Sequence, residues 1–183
     1  VGKTTLVHQM CSRSVLKNPT WTVGCAVDVR LQHHRASNKR FFLEFWDVGG
    51  SRKYKVSRTM FYSSINGIVL VFDLNNIKSY RNLRQWIKEI SHVARTRGIE
   101  EKYVYHDAKH GDGAGGHGSS LGSIPVIIIG NKRDLEKGKK GRRTYNSVKD
   151  LGFEMVRLCG IGKFNKDDKD ALNKFFRRVI ERR

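Results

Sequence analysis

Hydrophobic and polar side chains alternate in two neighbouring segments near the start of the chain. Over residues 24–31, Val27, Val29 and Leu31 alternate with small or polar residues, which predicts a strand with one face buried. Residues 41–46 predict a second strand, and the polar stretch between the two segments is typical of a hairpin connection. We therefore expect the two strands to pair with each other as an antiparallel hairpin.

Two later segments, residues 67–72 and 126–129, are apolar along their length rather than alternating. This pattern is typical of strands that are covered on both faces in a parallel sheet. Ser79 and Asn165 each precede apolar residues spaced by three and four positions, which predicts a helix capped by each of them. Strands that alternate with helices in this way predict a three-layer α/β fold, in which helices cover both faces of a mostly parallel, twisted sheet.

Residues 97–123 interrupt this rhythm, because they are rich in glycine and show no apolar periodicity. We expect a flexible loop inserted into a single domain that spans residues 1–183. The alternative is a metal site, but the spacing of its candidate ligands matches no defined pattern. Those candidates are His106, His110, His117, Asp107 and Asp112.

The length of 183 residues suits one hydrophobic core, and the mean hydropathy is −0.54. No segment approaches the apolar run of about 20 residues that a membrane-spanning helix needs. Cys11, Cys25 and Cys159 are widely spaced and odd in number, which favours a reducing compartment over a disulfide framework. The sequence therefore predicts a cytoplasmic protein.

The net charge is +19, from 36 Lys and Arg residues against 17 Asp and Glu residues. Such a surplus is compatible with nucleotide phosphates, acidic membrane surfaces or nucleic acid as partners. The basic residues are spread along the chain and are densest at 137–143 and 177–183. No RNA-binding module with interleaved aromatic residues accompanies them. A solvated basic face is the preferred interpretation, with electrostatic association with acidic membranes as an alternative, and no specific nucleic-acid partner is expected.

The first residues match the end of a phosphate-binding loop. Gly2, Lys3 and Thr4 fit the last positions of G-x-x-x-x-G-K-[ST], and a helical apolar pattern follows them. In this pattern the backbone N–H groups and the helix N-terminus hold phosphate oxygens, the lysine contacts the terminal phosphates, and the hydroxyl binds Mg²⁺. We expect a strand and the first half of the loop to precede Val1, so that the first strand of the sheet is absent from this chain.

A second motif, Trp46-Asp47-Val48-Gly49-Gly50, follows the predicted strand 41–46. The carboxyl ends of strands are where an open α/β sheet binds its ligand. Asp47 can hold Mg²⁺ through water, and Gly50 can offer its backbone N–H to a γ-phosphate. The alternative is a simple turn, since pairs of glycines commonly form one.

A third motif, Asn131-Lys132-Arg133-Asp134, follows the apolar strand 126–129. The carboxylate of Asp134 can accept hydrogen bonds from N1 and N2 of guanine, a pair of donors that adenine does not offer there. Asn131 can support the loop and contact the base edge, while the aliphatic stem of Lys132 can lie over the ring. The alternative for this motif is a helix N-cap.

These motifs, together with Thr22, which stands 18 residues after Thr4, resemble the Ras superfamily of small GTPases. The segments 61–67 and 79–86, and the residues around Trp21 and Trp46, resemble its Rab-like branch, in particular the Rab-like protein three group and its plant relatives. The resemblance covers the chain except for 97–123. It implies the P-loop fold of small G proteins, GTP and GDP as ligands, and Mg²⁺ as cofactor.

The resemblance also assigns roles to particular residues. It implies Mg²⁺ binding by Thr4, Thr22 and Asp47, and a contribution to catalysis from Thr22 and Ser51. The residues that it places at the nucleotide are Gly2, Lys3, Thr4, Thr5, Thr22, Gly50, Asn131, Lys132, Asp134, Cys159 and Gly160.

The sequence departs from the family pattern in three places. Ser51 stands where the family usually has a glutamine, and the last base-contacting motif can be placed only loosely at Cys159-Gly160-Ile161. The residues at 181–183 include no prenylation cysteine. We therefore expect a GTP/GDP switch that hydrolyses GTP slowly. The alternative is a scaffold of the Rab-like kind that is nucleotide-locked or does not hydrolyse GTP.

A switch of this kind acts in signalling or vesicle trafficking through effector and regulator proteins, which bind where the γ-phosphate orders the switch segments. Trp46, Phe61 and Tyr62 are candidates for that surface, and core packing is the alternative for each of them, most of all for Tyr62.

Overall fold

The computed structural model describes residues 1–62, 65–96, 124–136 and 153–182. The expected insert at 97–123 with its histidines, and the basic run 137–143, lie outside the described residues. The elements follow in the order α1 (Lys3–Ser12), β1 (Cys25–His34), β2 (Lys39–Val48), β3 (Ile68–Asp73), α2 (Ile77–Arg81), α3 (Leu83–Thr96), β4 (Val126–Asn131), β5 (Glu154–Arg157) and α4 (Lys166–Glu181).

Strands β1 and β2 form the expected antiparallel hairpin, with a register that runs from Cys25 opposite Val48 to His34 opposite Lys39. The expected burial of the apolar face of β1 is wrong, because Val27, Val29 and Leu31 are each about half exposed. Arg30 points to the opposite side, where its guanidinium lies 5.3 Å from the centre of the Phe176 ring. The long stem of an arginine can cover apolar surface in this way. The side of β1 that faces α4 is therefore the one that carries Arg30, and the valines lie on the other side.

Strands β3, β4 and β5 form a parallel sheet in that order, with β4 at its centre. Every residue of β4 is buried, which confirms the prediction from its unbroken apolar run. Helices α2 and α3 pack one apolar cluster on one face of this sheet, and α1 and α4 pack a second cluster on the other. The structure therefore confirms the three-layer α/β fold.

The two predicted helix caps have different outcomes. Asn165 caps α4, and its side chain and that of Asp168 form a reciprocal capping box. Ser79 is not a cap, because α2 already begins after Asn76, whose side chain accepts a hydrogen bond from the Lys78 N–H. The Ser79 hydroxyl instead accepts a hydrogen bond from the Asp73 N–H, which joins α2 to the end of β3.

A cleft of about 1560 Å³ separates β2 from β3 and continues to the N-terminus of α1. In the described part of the chain β2 pairs with β1 alone and β3 with β4 alone, so the cleft runs between two strand edges. Its walls include Leu43 and Phe45 of β2, Val69 of β3 and Phe176 of α4. The absence of a first strand from this chain and its single-domain organisation both stay predictions.

Within the residues that the structure describes, no helix combines the length and the apolar character that crossing a bilayer requires.

Candidate functional site

The turn that leads into α1 brings the first residues of the chain against the end of β4. Gly2 has φ of 83°, in the left-handed region, and a Cβ at this position would lie 2.6 Å from Nδ2 of Asn131. Only glycine combines this backbone conformation with so close an approach. Helix α1 then begins at Lys3, as the sequence predicts.

Three oxygen-bearing side chains from separate segments meet beside α1. The Thr4 hydroxyl lies 2.8 Å from the Thr22 hydroxyl, and the two donate to Oδ2 of Asp47 at 2.5 and 2.9 Å. Asp47 is only 3% exposed, and its Oδ1 accepts no hydrogen bond from any described residue. Two hydroxyls and a buried carboxylate with a free oxygen are the hard ligands that Mg²⁺ prefers, so the residues fit the expected cation.

Lys3 and Gly50 approach each other on the same side of α1. A Cβ on Gly50 would lie 3.2 Å from Nζ of Lys3, so the lysine runs close over the glycine backbone. Burial lowers the pKa of Lys3, nearby Asp47 opposes this effect, and Arg58 adds to it. A partly desolvated ammonium beside an exposed backbone N–H can bind a phosphate group, because the phosphate oxygens accept charge-assisted hydrogen bonds from the ammonium and a hydrogen bond from the N–H.

Ser51 follows Gly50 at the start of a short 3₁₀ turn, Arg52–Tyr54. Its hydroxyl accepts a hydrogen bond from the Lys53 N–H at 3.3 Å and so caps its own turn. The side chain that stands in place of the usual glutamine is thus already engaged locally.

Asn131 joins the two halves of the site. It is 2% exposed, and its Nδ2 donates to the carbonyl oxygens of Val1 at 3.0 Å and Gly2 at 3.4 Å. Its Oδ1 accepts a hydrogen bond from the Gly160 N–H at 3.0 Å. One side chain therefore fixes the turn before α1 to the loop that follows β5.

The segment after β5 lies next to the motif after β4. The Cys159 thiol donates to Oδ1 of Asp134 at 3.0 Å, and burial together with this carboxylate raises the pKa of the thiol. The loosely placed motif Cys159-Gly160 is thus adjacent to the carboxylate that we expect to contact guanine.

Thr5, which the resemblance also places at the nucleotide, is a buried residue of α1.

Two contacts that sequence reasoning missed hold the Asn131–Asp134 motif in place. Asp73, at the end of β3, forms an ion pair with Lys132 over 2.7 Å. Burial acts to raise the pKa of Asp73, but the hydrogen bonds from Lys132 and Asn75 hold it below its ordinary value. Arg133 places both Nη atoms 3.0 Å from the carboxylate of Asp168 in α4. Asp73 could have been found from the sequence, because it is an acidic residue at a strand end, which is the pattern that indicated Asp47. No sequence pattern indicates the contact between Arg133 and Asp168.

The three candidates for an effector surface differ in exposure. Trp46 is 48% exposed, and its ring centre lies 5.9 Å from that of Phe61. Tyr62 is 6% exposed and donates to Oε1 of Glu89 at 2.9 Å. Of the two alternatives left open for Tyr62, the structure therefore favours core packing over the effector surface.

The comparisons with known proteins identify the family of this chain. The family model for the Ras family matches residues 1–104. The chain belongs to the Ras family of small GTPases, whose members bind GTP and GDP with Mg²⁺ and hydrolyse GTP. The Ras-superfamily membership and P-loop fold predicted from the motifs are thus confirmed.

Within that family the chain is similar to the Rab-like proteins. It is 36% identical to Rab-like protein 3 of Danio rerio, in an alignment that covers 100% of this chain and 82% of the relative. It is 35% identical to Rab-like protein 3 of Homo sapiens, with 100% and 81% covered. Small GTPase LIP1 of Arabidopsis thaliana is 29% identical, and the chain spans 59% of its length. The Rab-like resemblance is therefore confirmed as well.

Proposed function

We propose that this chain is a guanine-nucleotide switch that binds GTP or GDP together with Mg²⁺ and hydrolyses GTP slowly. The observation that supports this most strongly is the group formed by Thr4, Thr22 and Asp47, in which Oδ1 of the buried carboxylate accepts no hydrogen bond from a described residue. Lys3 and Gly50 lie beside this group.

In this proposal the phosphates bind at the N-terminus of α1. The N–H groups of its first turn and the ammonium of Lys3 hold phosphate oxygens, and the Gly50 N–H contacts the γ-phosphate. Thr4 and Thr22 would hold Mg²⁺ with their hydroxyls, and the carboxylate of Asp47 would hold it through water. Bound Mg²⁺ supplies positive charge beside the phosphate oxygens.

The guanine base binds at the ends of β4 and β5. Asp134 accepts from the base, Lys132 lies over the ring, and the loop at Cys159 and Gly160 closes the pocket. The ion pair with Asp73 limits the rotation of the Lys132 side chain. Because Asn131 joins this half of the site to the turn at Gly2, nucleotide binding stabilises both halves together.

The proposal is tested first by the nucleotide content of the purified chain. We expect close to one equivalent of GDP or GTP, which chelation of Mg²⁺ releases and which excess nucleotide replaces. A chain that carries no nucleotide and binds neither GTP nor GDP in an equilibrium titration would contradict the proposal.

A scaffold that holds nucleotide without turnover is a second candidate. It is favoured by Ser51, whose hydroxyl caps its own turn and is shorter than a glutamine side chain. Bound GDP that neither chelation nor excess GTP displaces would support the scaffold over the switch.

If hydrolysis is slow because Ser51 replaces the usual glutamine, a glutamine at this position should make it faster. Ser51→Gln is expected to raise the single-turnover rate of GTP hydrolysis by roughly ten-fold or more, because a glutamine can orient the attacking water, while GTP affinity stays the same. The measurement is phosphate release from preloaded chain, with Ser57→Gln as the matched control in the same segment. Fast hydrolysis by the unchanged chain would mean that another residue orients the water, with Arg52, Lys53 or Tyr54 next in line.

We also propose that effector and regulator proteins bind the exposed residues beside the switch segments, where Trp46 and Met60 lie. The role would be in signalling or trafficking, in the cytoplasm or at the surface of acidic membranes, which the charge of +19 favours.

A further inference from the structure

A buried arginine joins the segment after Gly50 to helix α3. Arg58 lies in the 3₁₀ turn Ser57–Tyr62 and is 6% exposed. Its Nε and Nη2 donate to the two carboxylate oxygens of Glu89 at 2.6 Å each. A fork of this kind is the strong form of the arginine–carboxylate pair, and burial of both groups shields it from solvent.

The remaining edge of the same guanidinium faces the nucleotide site. Nη1 of Arg58 donates to the backbone carbonyl of Ser51 at 3.2 Å. The flat face of the group lies 4.1 Å from the centre of the Trp86 ring. Arg58 is thus held on one edge and on one face by α3, and its second edge holds the residue next to Gly50.

The charges in this cluster depend on one another. The hydrogen bond with Glu89 raises the pKa of Arg58. Burial acts to raise the pKa of Glu89, but hydrogen bonds from Arg58 and Tyr62 hold it below its ordinary value. Arg58 also contributes to the lowered pKa of Lys3, so its charge lies within electrostatic reach of the lysine that we assign to the phosphates.

The arrangement requires an arginine. A planar guanidinium can direct two donors at a carboxylate and a third donor, from its other edge, at a carbonyl oxygen. A lysine ammonium is a single point that cannot reach both groups in the same positions. A lysine at position 58 would therefore keep the positive charge but lose one of the contacts to Glu89 and Ser51.

We propose that Arg58 is a positioning residue that holds the Ser51 backbone against α3, presents the Gly50 N–H to the γ-phosphate, and so sets the preference of this chain for GTP over GDP. The inference rests on the proposed nucleotide site. GDP has no γ-phosphate and makes no contact with Gly50, so its affinity does not depend on where Arg58 holds Ser51.

The test compares Arg58→Lys and Arg58→Ala in the full chain. Lys88→Ala is the control, because Lys88 is an exposed cation on α3 next to Glu89. We expect both Arg58 variants to bind a non-hydrolysable GTP analogue roughly three- to ten-fold more weakly, as the loss of one hydrogen bond to the site implies. GDP affinity should stay within about two-fold in all three variants. Equal losses for the two nucleotides, or a normal ratio in Arg58→Lys, would overturn the proposal.

A nucleotide-free measurement separates this inference from the proposed function. Amide hydrogen exchange at 51–55 should be faster in both Arg58 variants and unchanged in Lys88→Ala. In a Trp21→Phe, Trp46→Phe background, Arg58→Ala should also change the emission of Trp86, because the ring loses its cation. Unchanged exchange at 51–55 would show that Arg58 does not hold Ser51.

The role of Arg58 can still be tested if Arg58→Ala does not fold or if the chain binds no nucleotide. If Arg58→Ala does not fold, Glu89→Gln replaces it, since this variant keeps Arg58 and the size of the side chain at position 89 but removes the negative charge of the fork. It should lower the ratio of GTP to GDP affinity in the same direction. If the unchanged chain binds no nucleotide, the proposed function fails and the GTP preference fails with it, while hydrogen exchange still decides whether Arg58 holds the Ser51 backbone.

Discussion

Asp134→Asn is expected to weaken GTP binding by about 100-fold and to shift the preference of the chain toward xanthosine triphosphate. The carboxylate accepts from two donors of guanine, and a hydrogen bond to a charged group is worth about 1.5–3 kcal/mol. An asparagine turns one acceptor into a donor, which faces the guanine N–H groups unfavourably but suits the carbonyl that xanthine carries. Equilibrium titration with fluorescent derivatives of both nucleotides measures the change.

The matched control for this substitution is Asp170→Asn, an identical chemical change at an exposed position of α4. It should leave both affinities unchanged. If Asp134→Asn also kept its affinity for GTP, Asp134 would have to be removed from the site, and the contact between Cys159 and Asp134 would then be structural only.

Asn131→Ala is expected to lower nucleotide affinity by about 100-fold and the Tm by about 4–8 °C. The variant leaves the buried N–H of Gly160 without its partner. It also removes the hydrogen bonds to the carbonyl oxygens of Val1 and Gly2, of which the Gly2 oxygen still accepts from the Leu6 N–H. Each unsatisfied buried group costs about 1–3 kcal/mol. Because these groups belong to both halves of the site, the phosphate and base contacts should weaken together.

Asn75→Ala is the control for this second change, because Asn75 is exposed and donates one hydrogen bond, to the carbonyl of Lys132 at 3.2 Å. Its effect on affinity should stay within about three-fold. Isothermal calorimetry and thermal unfolding measure the two quantities. A normal affinity in Asn131→Ala would show that the two halves of the site are held together by other contacts.

The sequence predicted those parts of the fold that depend on local patterns. The unbroken apolar run at 126–129 indicated the buried centre of the sheet, and Asn165 indicated the start of α4. The grouping of Thr4, Thr22 and Asp47 was expected from the family resemblance and not from local patterns alone. The structure brings these three side chains together from distant positions.

The predictions that failed depended on what packs against a residue. Periodicity finds the two faces of β1 but does not reveal that Arg30 covers the inner one. Ser79 and Asn76 are both good caps, and the bond between the Ser79 hydroxyl and the Asp73 N–H decides between them. The choice between surface and core at Tyr62 was left open, because its partner Glu89 lies about 30 positions along the chain and no local pattern shows such a pair.

The cleft between β2 and β3 has a consequence for the energetics of unfolding. Apolar side chains that line it, such as Leu43, Phe45 and Val69, already face a volume of about 1560 Å³ in the folded chain. Unfolding therefore exposes less new apolar surface from these side chains than it would if the cleft were filled. Both the heat-capacity change and the dependence of the unfolding free energy on denaturant scale with that surface. The folded state of this chain should thus give a shallow denaturation curve, and anything that fills the cleft should make the curve steeper.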